Sequence, residues 1–326
     1  MNTGVFTISL DFELHWGVFD KKERLNRKAC YINTLQLIPE LLQLFSEYDV
    51  HVTWATVGSL FAKDENEWAE MKPAIMPSYS NPEFSPYKWA EKNKLSREFD
   101  WAQFAPEAIE QIVQYPGQEL GTHTFGHYYC MEPGQTVEAF SADLDAAIEA
   151  ANKINQPTRS LVFPRNQFNP EVLGICYRKG IMAVRSNPDS WFWTPVPDGG
   201  THLLTKVFRT GDSYIKLGKR TSYPIKEIKV VKDQPLQLPA SRFLRSWNPG
   251  YRLTNKIRLQ RILSELKTAA IKNECYHLWW HPENFGDYPQ QNMEDLKIIL
   301  EAHQLYRSKY GMTSWNMGEY VTALMN

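Results

Sequence analysis

The sequence predicts an α/β fold in which short apolar strands alternate with amphipathic helices from one end to the other. Runs such as VFTISLDF (5–12) are short, apolar and end on charge, which is typical of buried strands. Segments between such runs, for example 136–154, have the spacing of an amphipathic helix. Alternation of this kind indicates a mostly parallel sheet or barrel. We predict one domain over residues 1–326, with long irregular loops.

Each predicted element has its own local signal. Strands are predicted from short apolar or β-branched runs, at 5–12, 51–58, from 118, at 160–164, 181–186 and 275–281. Helices are predicted from their periodicity and first-turn residues, at 32–48, 106–115, 136–154, 170–180, 255–273, 292–309 and 317–325. Pro39 predicts an interruption or kink in the first helix. Residues 60–105 and 187–251 are predicted to be irregular, and long loops of this kind are often functional.

Composition and charge exclude several classes of protein. Of 326 residues, 43% are hydrophobic and 22% are charged, which is typical of a globular chain. The formal net charge of −1 gives no general attraction to nucleic acid. The sequence has no apolar run of the roughly 18 residues that span a membrane, and its start does not resemble a secretory signal. With four scattered cysteines, these features predict a cytoplasmic protein without an integral membrane segment.

Polar side chains follow four of the predicted strands. In parallel α/β folds the carboxyl ends of the strands meet at one edge, where ligand sites lie. Side chains alternate along a strand, so Asp11 and Glu13 are expected to face the same way. The full set is Asp11 and Glu13, His123 and His127, Arg165 with Asn166 and Gln167, and His281.

A carboxylate with two imidazoles is a three-ligand set for a divalent cation. His123 and His127 are four residues apart, so both meet one ion if the turn between them is helix-like. The alternative is two surface histidines without a ligand. Imidazole suits zinc, and such a site also accepts cobalt, nickel, manganese or iron.

Four motifs in this order resemble those of the polysaccharide deacetylase family, also called the NodB-homology or carbohydrate esterase 4 type. They are SLDFE, THTFGH, FPRNQ and HLWWH. THTFGH matches the family's H-[ST]-x-x-H motif fully at His123, Thr124 and His127. The motifs extend from Asp11 to His281, most of the chain. The resemblance implies a distorted (β/α)7 barrel and metal-dependent hydrolysis of an N-acyl group on a sugar.

The resemblance also implies roles for individual residues. Asp11 would be the general base that takes a proton from water, and His281 would protonate the leaving amine. Arg165 would pair with Asp11 and keep it ionised. The implied metal ligands are Glu13, His123 and His127, and the expected substrate contacts are Asn166, Gln167 and Trp280.

Some positions depart from the family pattern. Phe12 stands where many members have a second, metal-binding aspartate, so either Asp11 or Glu13 is the carboxylate ligand. The third motif has Asn166 and Gln167 in place of proline and tyrosine. Because of these departures, one alternative is that the chain is a non-catalytic, carbohydrate-binding relative without a metal. A second alternative is an amidase acting on a non-sugar C–N bond, since related barrels catalyse such reactions. The expected substrate is an N-acetylated sugar or lipid-linked glycan of surface polysaccharide synthesis; the oligomeric state is left open.

Overall fold

The computed structural model describes residues 3–21, 27–93, 95, 100–197, 203–219 and 221–325. Within these ranges the predicted strands are present, with four further short ones. The strands are β1 (Val5–Phe12), β2 (Val52–Thr56), β3 (Gln118–Thr122), β4 (Ser160–Val162), β5 (Ala183–Ser186), β6 (Tyr223–Pro224), β7 (Leu236–Pro239), β8 (Arg242–Phe243), β9 (Glu274–Trp280) and β10 (Thr313–Ser314).

The predicted helices are present as well, and the two segments predicted to be irregular contain additional short helices. The helices are α1 (Lys28–Glu47), α2 (Glu65–Met71), α3 (Pro86–Asn93), α4 (Asp100–Gln103), α5 (Pro106–Gln114), α6 (Val137–Asn152), α7 (Pro170–Arg178), α8 (Leu203–Gly211), α9 (Arg252–Lys272), α10 (Pro289–Tyr310) and α11 (Met317–Met325). Pro39 lies inside α1, so the predicted interruption is not found. Among the residues described, no helix combines the length and the apolarity needed to cross a membrane.

The sheet is parallel over seven neighbouring strands, in the order β9-β1-β2-β3-β4-β5-β7, with β6 antiparallel at the edge of β9. The segment from β7 to β8 connects its two edges. Ala240 N–H donates to Ser186 on β5 at 2.9 Å, and Ser241 N–H donates to His277 on β9 at 2.8 Å. This bridge curls the sheet, and the predicted distorted (β/α) barrel is confirmed.

The two faces of β1 differ in chemistry because side chains alternate along a strand. The outward face is fully buried under the helices and carries Phe6, Ile8, Leu10 and Phe12. The inward face carries Thr7, Ser9 and Asp11. Thr7 bonds Tyr320 of α11 at 2.8 Å, and Ser9 Oγ lies 2.9 Å from His277 Nε2. The inward face of β1 is therefore polar from Thr7, which contacts α11, to Asp11 near the carboxyl end of the strand.

Candidate functional site

Glu13 and the two histidines of THTFGH form one buried cluster. Glu13 Oε2 lies 3.2 Å from His123 Nε2 and 3.0 Å from His127 Nε2. One ligand atom from each of the three residues lies within 4.8 Å of the others, a spacing that could hold a metal ion. His123 Nδ1 lies 2.7 Å from the Val162 carbonyl, which can only accept, so the neutral tautomer that fits this contact has its proton on Nδ1 and offers Nε2 to a metal. Burial lowers the pKa of His127 and outweighs Glu13, which favours the neutral imidazole that metals bind.

The turn between the histidines has an unusual backbone. Thr124 and His127 have φ angles of 65° and 55°, in the left-handed region that non-glycine residues rarely adopt. A Cβ on Gly126 would lie 2.6 Å from Tyr87 Oη, so glycine is required there. Leu14, Arg165 and Asn166, beside the same site, also have positive φ. Backbone strain of this kind persists only where the surrounding structure enforces it.

Asp143 of α6 is the side chain that enforces this turn. Its carboxylate accepts hydrogen bonds from Phe125 N–H at 2.7 Å and from Gly126 N–H at 3.2 Å. Tyr87 O–H donates to it at 2.5 Å. Asp143 carries no recognisable sequence signal, since it stands 16 residues after His127 on an otherwise ordinary amphipathic helix.

We expect Asp143→Ala to weaken metal binding roughly 10- to 100-fold, the usual effect of removing a group that orients ligands. The expected cause is relaxation of the strained turn, which separates the two histidines. Metal titration of the purified variants measures this, with Asp143→Asn as a milder change that keeps the side-chain shape. Asp145→Ala is the matched control, because Asp145 is exposed on the same helix and contacts Lys179. Equal metal affinity in Asp143→Ala and wild type would contradict the assigned role.

Asp11 is held by an arginine that sequence analysis did not select. Arg185 on β5 donates to both carboxylate oxygens, at 2.6 and 2.7 Å, and both residues are buried. It also donates to Ser9 at 3.1 Å and to Asn166 at 3.2 Å. Burial by itself would raise the pKa of Asp11, but the Arg185 guanidinium, aided by His123, outweighs it and holds the pKa below its usual value.

The predicted pairing of Arg165 with Asp11 is wrong. Arg165 contacts Asp20 and lies 3.7 Å from Glu132, and its guanidinium stacks 3.9 Å over the ring of Tyr129. The physical reason is position. Arg165 lies in a turn after β4 with φ of 54°, whereas Arg185 lies within β5 on the face that looks into the barrel.

His281, which follows β9, faces both carboxylates. Its Nε2 lies 3.7 Å from Asp11 Oδ2 and 3.6 Å from Glu13 Oε1. Its side chain is 26% exposed, whereas those of the two carboxylates are buried. His281 is therefore placed between the cluster and the surface.

A further acid, Glu283, was also missed. It is buried two residues after His281. Burial, followed by the charges of Glu13 and Asp11, raises its pKa well above the usual value. Glu283 therefore favours its protonated form more than an ordinary glutamate does.

A cavity of 340 Å³ is lined by Arg165, Asn166 and Gln167, among others. Contact of Asn166 and Gln167 with a substrate stays a prediction. The expectation for Trp280 is wrong. Trp280 has no exposed surface and stacks on Phe285, with ring centroids 5.5 Å apart. Trp279 lines the cavity instead and lies 4.1 Å under the Arg185 guanidinium. Alternation explains the difference, because Trp279 pairs with inward-facing Ser9 and Trp280 with outward-facing Leu10.

Comparison with known proteins agrees with this geometry. The family model described as polysaccharide deacetylase matches residues 29–184, which include His123, His127 and Asp143. The crystal structure of a protein assigned as a polysaccharide deacetylase, from Mycobacterium smegmatis, has a TM-score of 0.63 and 13% identity, covering 100% of this chain and 91% of that one. The resemblance to the polysaccharide deacetylase family is confirmed. The expectation of an enzyme of the carbohydrate deacetylase type is confirmed with it.

Other solved structures share the fold. An allantoinase has a TM-score of 0.53 and 9% identity, covering 98% of this chain and 90% of its own. The α-amylase AmyC from Thermotoga maritima has a TM-score of 0.53 and 10% identity, covering 99% of this chain and 75% of its own. At such identities the likeness shows the fold alone, which hosts several chemistries. No curated protein sequence matches the chain at a significant level.

Proposed function

We propose that the chain is a metal-dependent hydrolase that removes an N-acyl group, with acetyl as the first candidate, from a carbohydrate. The observation that carries this proposal is the cluster of Glu13, His123 and His127 beside the Asp11–Arg185 pair. One buried carboxylate is thereby close to two imidazoles, while the other is held by a guanidinium.

The donor set fits a divalent metal ion. Two imidazole Nε2 atoms and one carboxylate oxygen converge, and His123 is oriented by the Val162 carbonyl, as metal-binding histidines usually are. Glu13 is closely confined, since a Cβ on Gly17 would lie 1.9 Å from its Oε1. Zinc is the ion we expect from imidazole and carboxylate donors. When bound, such an ion polarises the acyl carbonyl and makes water a stronger nucleophile.

Asp11 serves as the general base in this proposal. Both of its oxygens accept hydrogen bonds from Arg185, which favours Glu13 as the carboxylate ligand. Arg185 also keeps Asp11 ionised, so that Asp11 accepts the proton of the attacking water. His281 Nε2 faces the same space and donates a proton to the leaving amine nitrogen, which would otherwise depart as an unstable anion.

The two cavities that share residues next to Asn166 have room for more than one sugar. The 340 Å³ cavity and an adjoining cavity of 920 Å³ share Asn187, Trp193 and Pro195. Aromatic rings stack on the apolar faces of sugars, and Trp193 is available at the junction. These features favour an oligosaccharide or lipid-linked glycan over a single sugar. We place the reaction in surface polysaccharide synthesis and treat residues 1–326 as one cytoplasmic domain.

The proposal is tested with protein that has been stripped of metal and refilled separately with zinc, cobalt, nickel, manganese or iron. Wild type is expected to hold about one ion per chain and to release acetate from N-acetylated oligosaccharides. A His123→Ala, His127→Ala double variant is expected to lose both properties. Sugar binding without metal or acetate release would indicate a non-catalytic relative. Hydrolysis of allantoin in place of N-acetylated sugars would indicate the amidase alternative.

A further inference from the structure

The 340 Å³ cavity lined by Asn166 and Trp279 has an unusual charge. Its ten described lining residues include the cations Lys21, Arg165 and Arg209, and none of the ten is acidic. A neutral sugar can accept hydrogen bonds from such cations, but it carries no charge to balance theirs. What the cavity is suited to bind therefore depends on which of these cations already has an acidic partner.

Arg165 is already balanced by its neighbours, since it contacts Asp20 and Glu132. Lys21 differs, because it is exposed at the cavity and has no ion-pair partner among the described parts of the chain. The excess positive charge of the cavity thus comes from Lys21 and Arg209.

Arg209 of α8 is half-buried and is oriented without a carboxylate. Its Nε donates to the Phe192 carbonyl at 2.5 Å and its Nη2 donates to the Thr194 carbonyl at 3.4 Å. The guanidinium lies 5.3 Å over the ring of Trp193. Within the described ranges, no carboxylate oxygen lies within 4.0 Å of it. Among the described residues, carbonyls and a ring fix the direction of Arg209 and no carboxylate balances its charge, so an anion bound there would gain a charge-assisted partner.

Two residues of the cavity wall contact the arginine that holds Asp11. Asn166 and Trp279 both line the cavity and both contact Arg185, which holds Asp11. An anion held by Arg209 would belong to the molecule whose acyl group reaches Asp11. Guanidinium groups bind carboxylates and phosphates through paired N–H donors, so either anion fits.

We propose that this cavity binds an anionic group of the substrate, with Arg209 and Lys21 as its partners, so that the preferred substrate is an acidic or phosphorylated N-acylated sugar. The inference rests on the proposed function and specifies its substrate class. The shared chemistry is an oxyanion close to the N-acyl group. Its source is either a uronic acid carboxylate or a sugar phosphate.

Three related probes separate these sources: N-acetylglucosamine, its 1-phosphate, and 2-acetamido-2-deoxyglucuronic acid. Calorimetry on the metal-loaded protein measures their dissociation constants at low and high salt. We expect at least one anionic probe to bind about tenfold more tightly than the neutral sugar, as for one charge-assisted hydrogen-bond pair. The advantage should shrink with salt because Lys21 is exposed.

Variants assign the effect to residues. Arg209→Gln is expected to abolish the preference for the anionic probe and to leave the affinity for the neutral sugar unchanged. Arg209→Lys keeps the charge and should retain part of the preference. Lys21→Gln should cause a smaller loss of the same sign, and it tests the proposal even where Arg209→Gln fails to fold. Arg178→Gln is the matched control, since Arg178 is exposed on α7 beside a different depression.

Equal affinity of wild type for all three probes would overturn the inference, as would a preference that survives both Arg209→Gln and Lys21→Gln. Acetate release from neutral oligosaccharides in that case leaves the proposed function intact. Conversely, an Arg209-dependent preference in a protein that hydrolyses none of the probes supports the anion site and counts against the proposed function.

Discussion

Glu13→Gln is expected to remove the metal, whereas Asp11→Asn is expected to keep the metal and lose the activity. Glu13 Oε2 lies within 3.2 Å of both histidine Nε2 atoms, so its loss removes one of three ligands. We expect metal affinity to fall by more than the roughly 10- to 100-fold that changes around the ligands cause. Asp11 is held by Arg185 instead, and loss of a general base lowers kcat roughly 10²- to 10⁴-fold.

The measurement is metal content at a fixed free-metal concentration, made beside kcat for acetate release. Glu294→Gln on the exposed face of α10 is a control expected to match wild type in both. Asp11→Asn leaves the Arg185 charge buried without its partner, so circular dichroism must show that the variant is folded. Loss of metal from folded Asp11→Asn would make Asp11 a ligand and would remove it from the role of base.

The residues at the carboxyl ends of the strands were the part of the candidate site that the sequence could predict. Because side chains alternate along β1, Asp11 and Glu13 were expected to point the same way, and both do. Because parallel strands end at one edge, His123 and His281 were expected to approach them, and His281 lies within 3.7 Å of both carboxylates. These relations depend only on local periodicity and on strand direction, which a sequence pattern can carry.

Contacts between distant segments were not accessible in the same way. Arg185 reaches Asp11 across 174 positions, and nothing in β5 alone indicates which carboxylate it meets. Asp143 acts through backbone N–H groups, which leave no sequence signature. The wrong prediction of Trp280 in place of Trp279 has a different cause. Side chains alternate along a strand, so counting back from His281 would have placed Trp279, and not Trp280, on the inward face. β7 was missed because a four-residue strand ending in proline lacks a recognisable apolar run.

Arg185→Met is expected to move the acidic limb of the kcat/KM profile to higher pH. In wild type the Arg185 guanidinium holds the pKa of Asp11 below its usual value, against the opposing effect of burial. Activity requires the ionised base, so it is present above that pKa and lost as the pH falls through it. Removal of the guanidinium leaves burial dominant, and the pKa rises. A nearby opposite charge usually accounts for about 1–3 pH units, which is the displacement we expect.

The pH–rate profile of Arg185→Met, taken beside that of Arg165→Met, measures this. Arg165 contacts Asp20 and Glu132, so its loss should leave the acidic limb in place. Arg185→Lys keeps a point charge without the paired donors and should shift the limb less than methionine does. Relative to wild type, Arg185→Met should also lose stability as pH rises, because the unpaired Asp11 must then ionise inside the protein. A displaced limb in Arg165→Met with none in Arg185→Met would reverse the assignment and return Arg165 to the role that its motif implies.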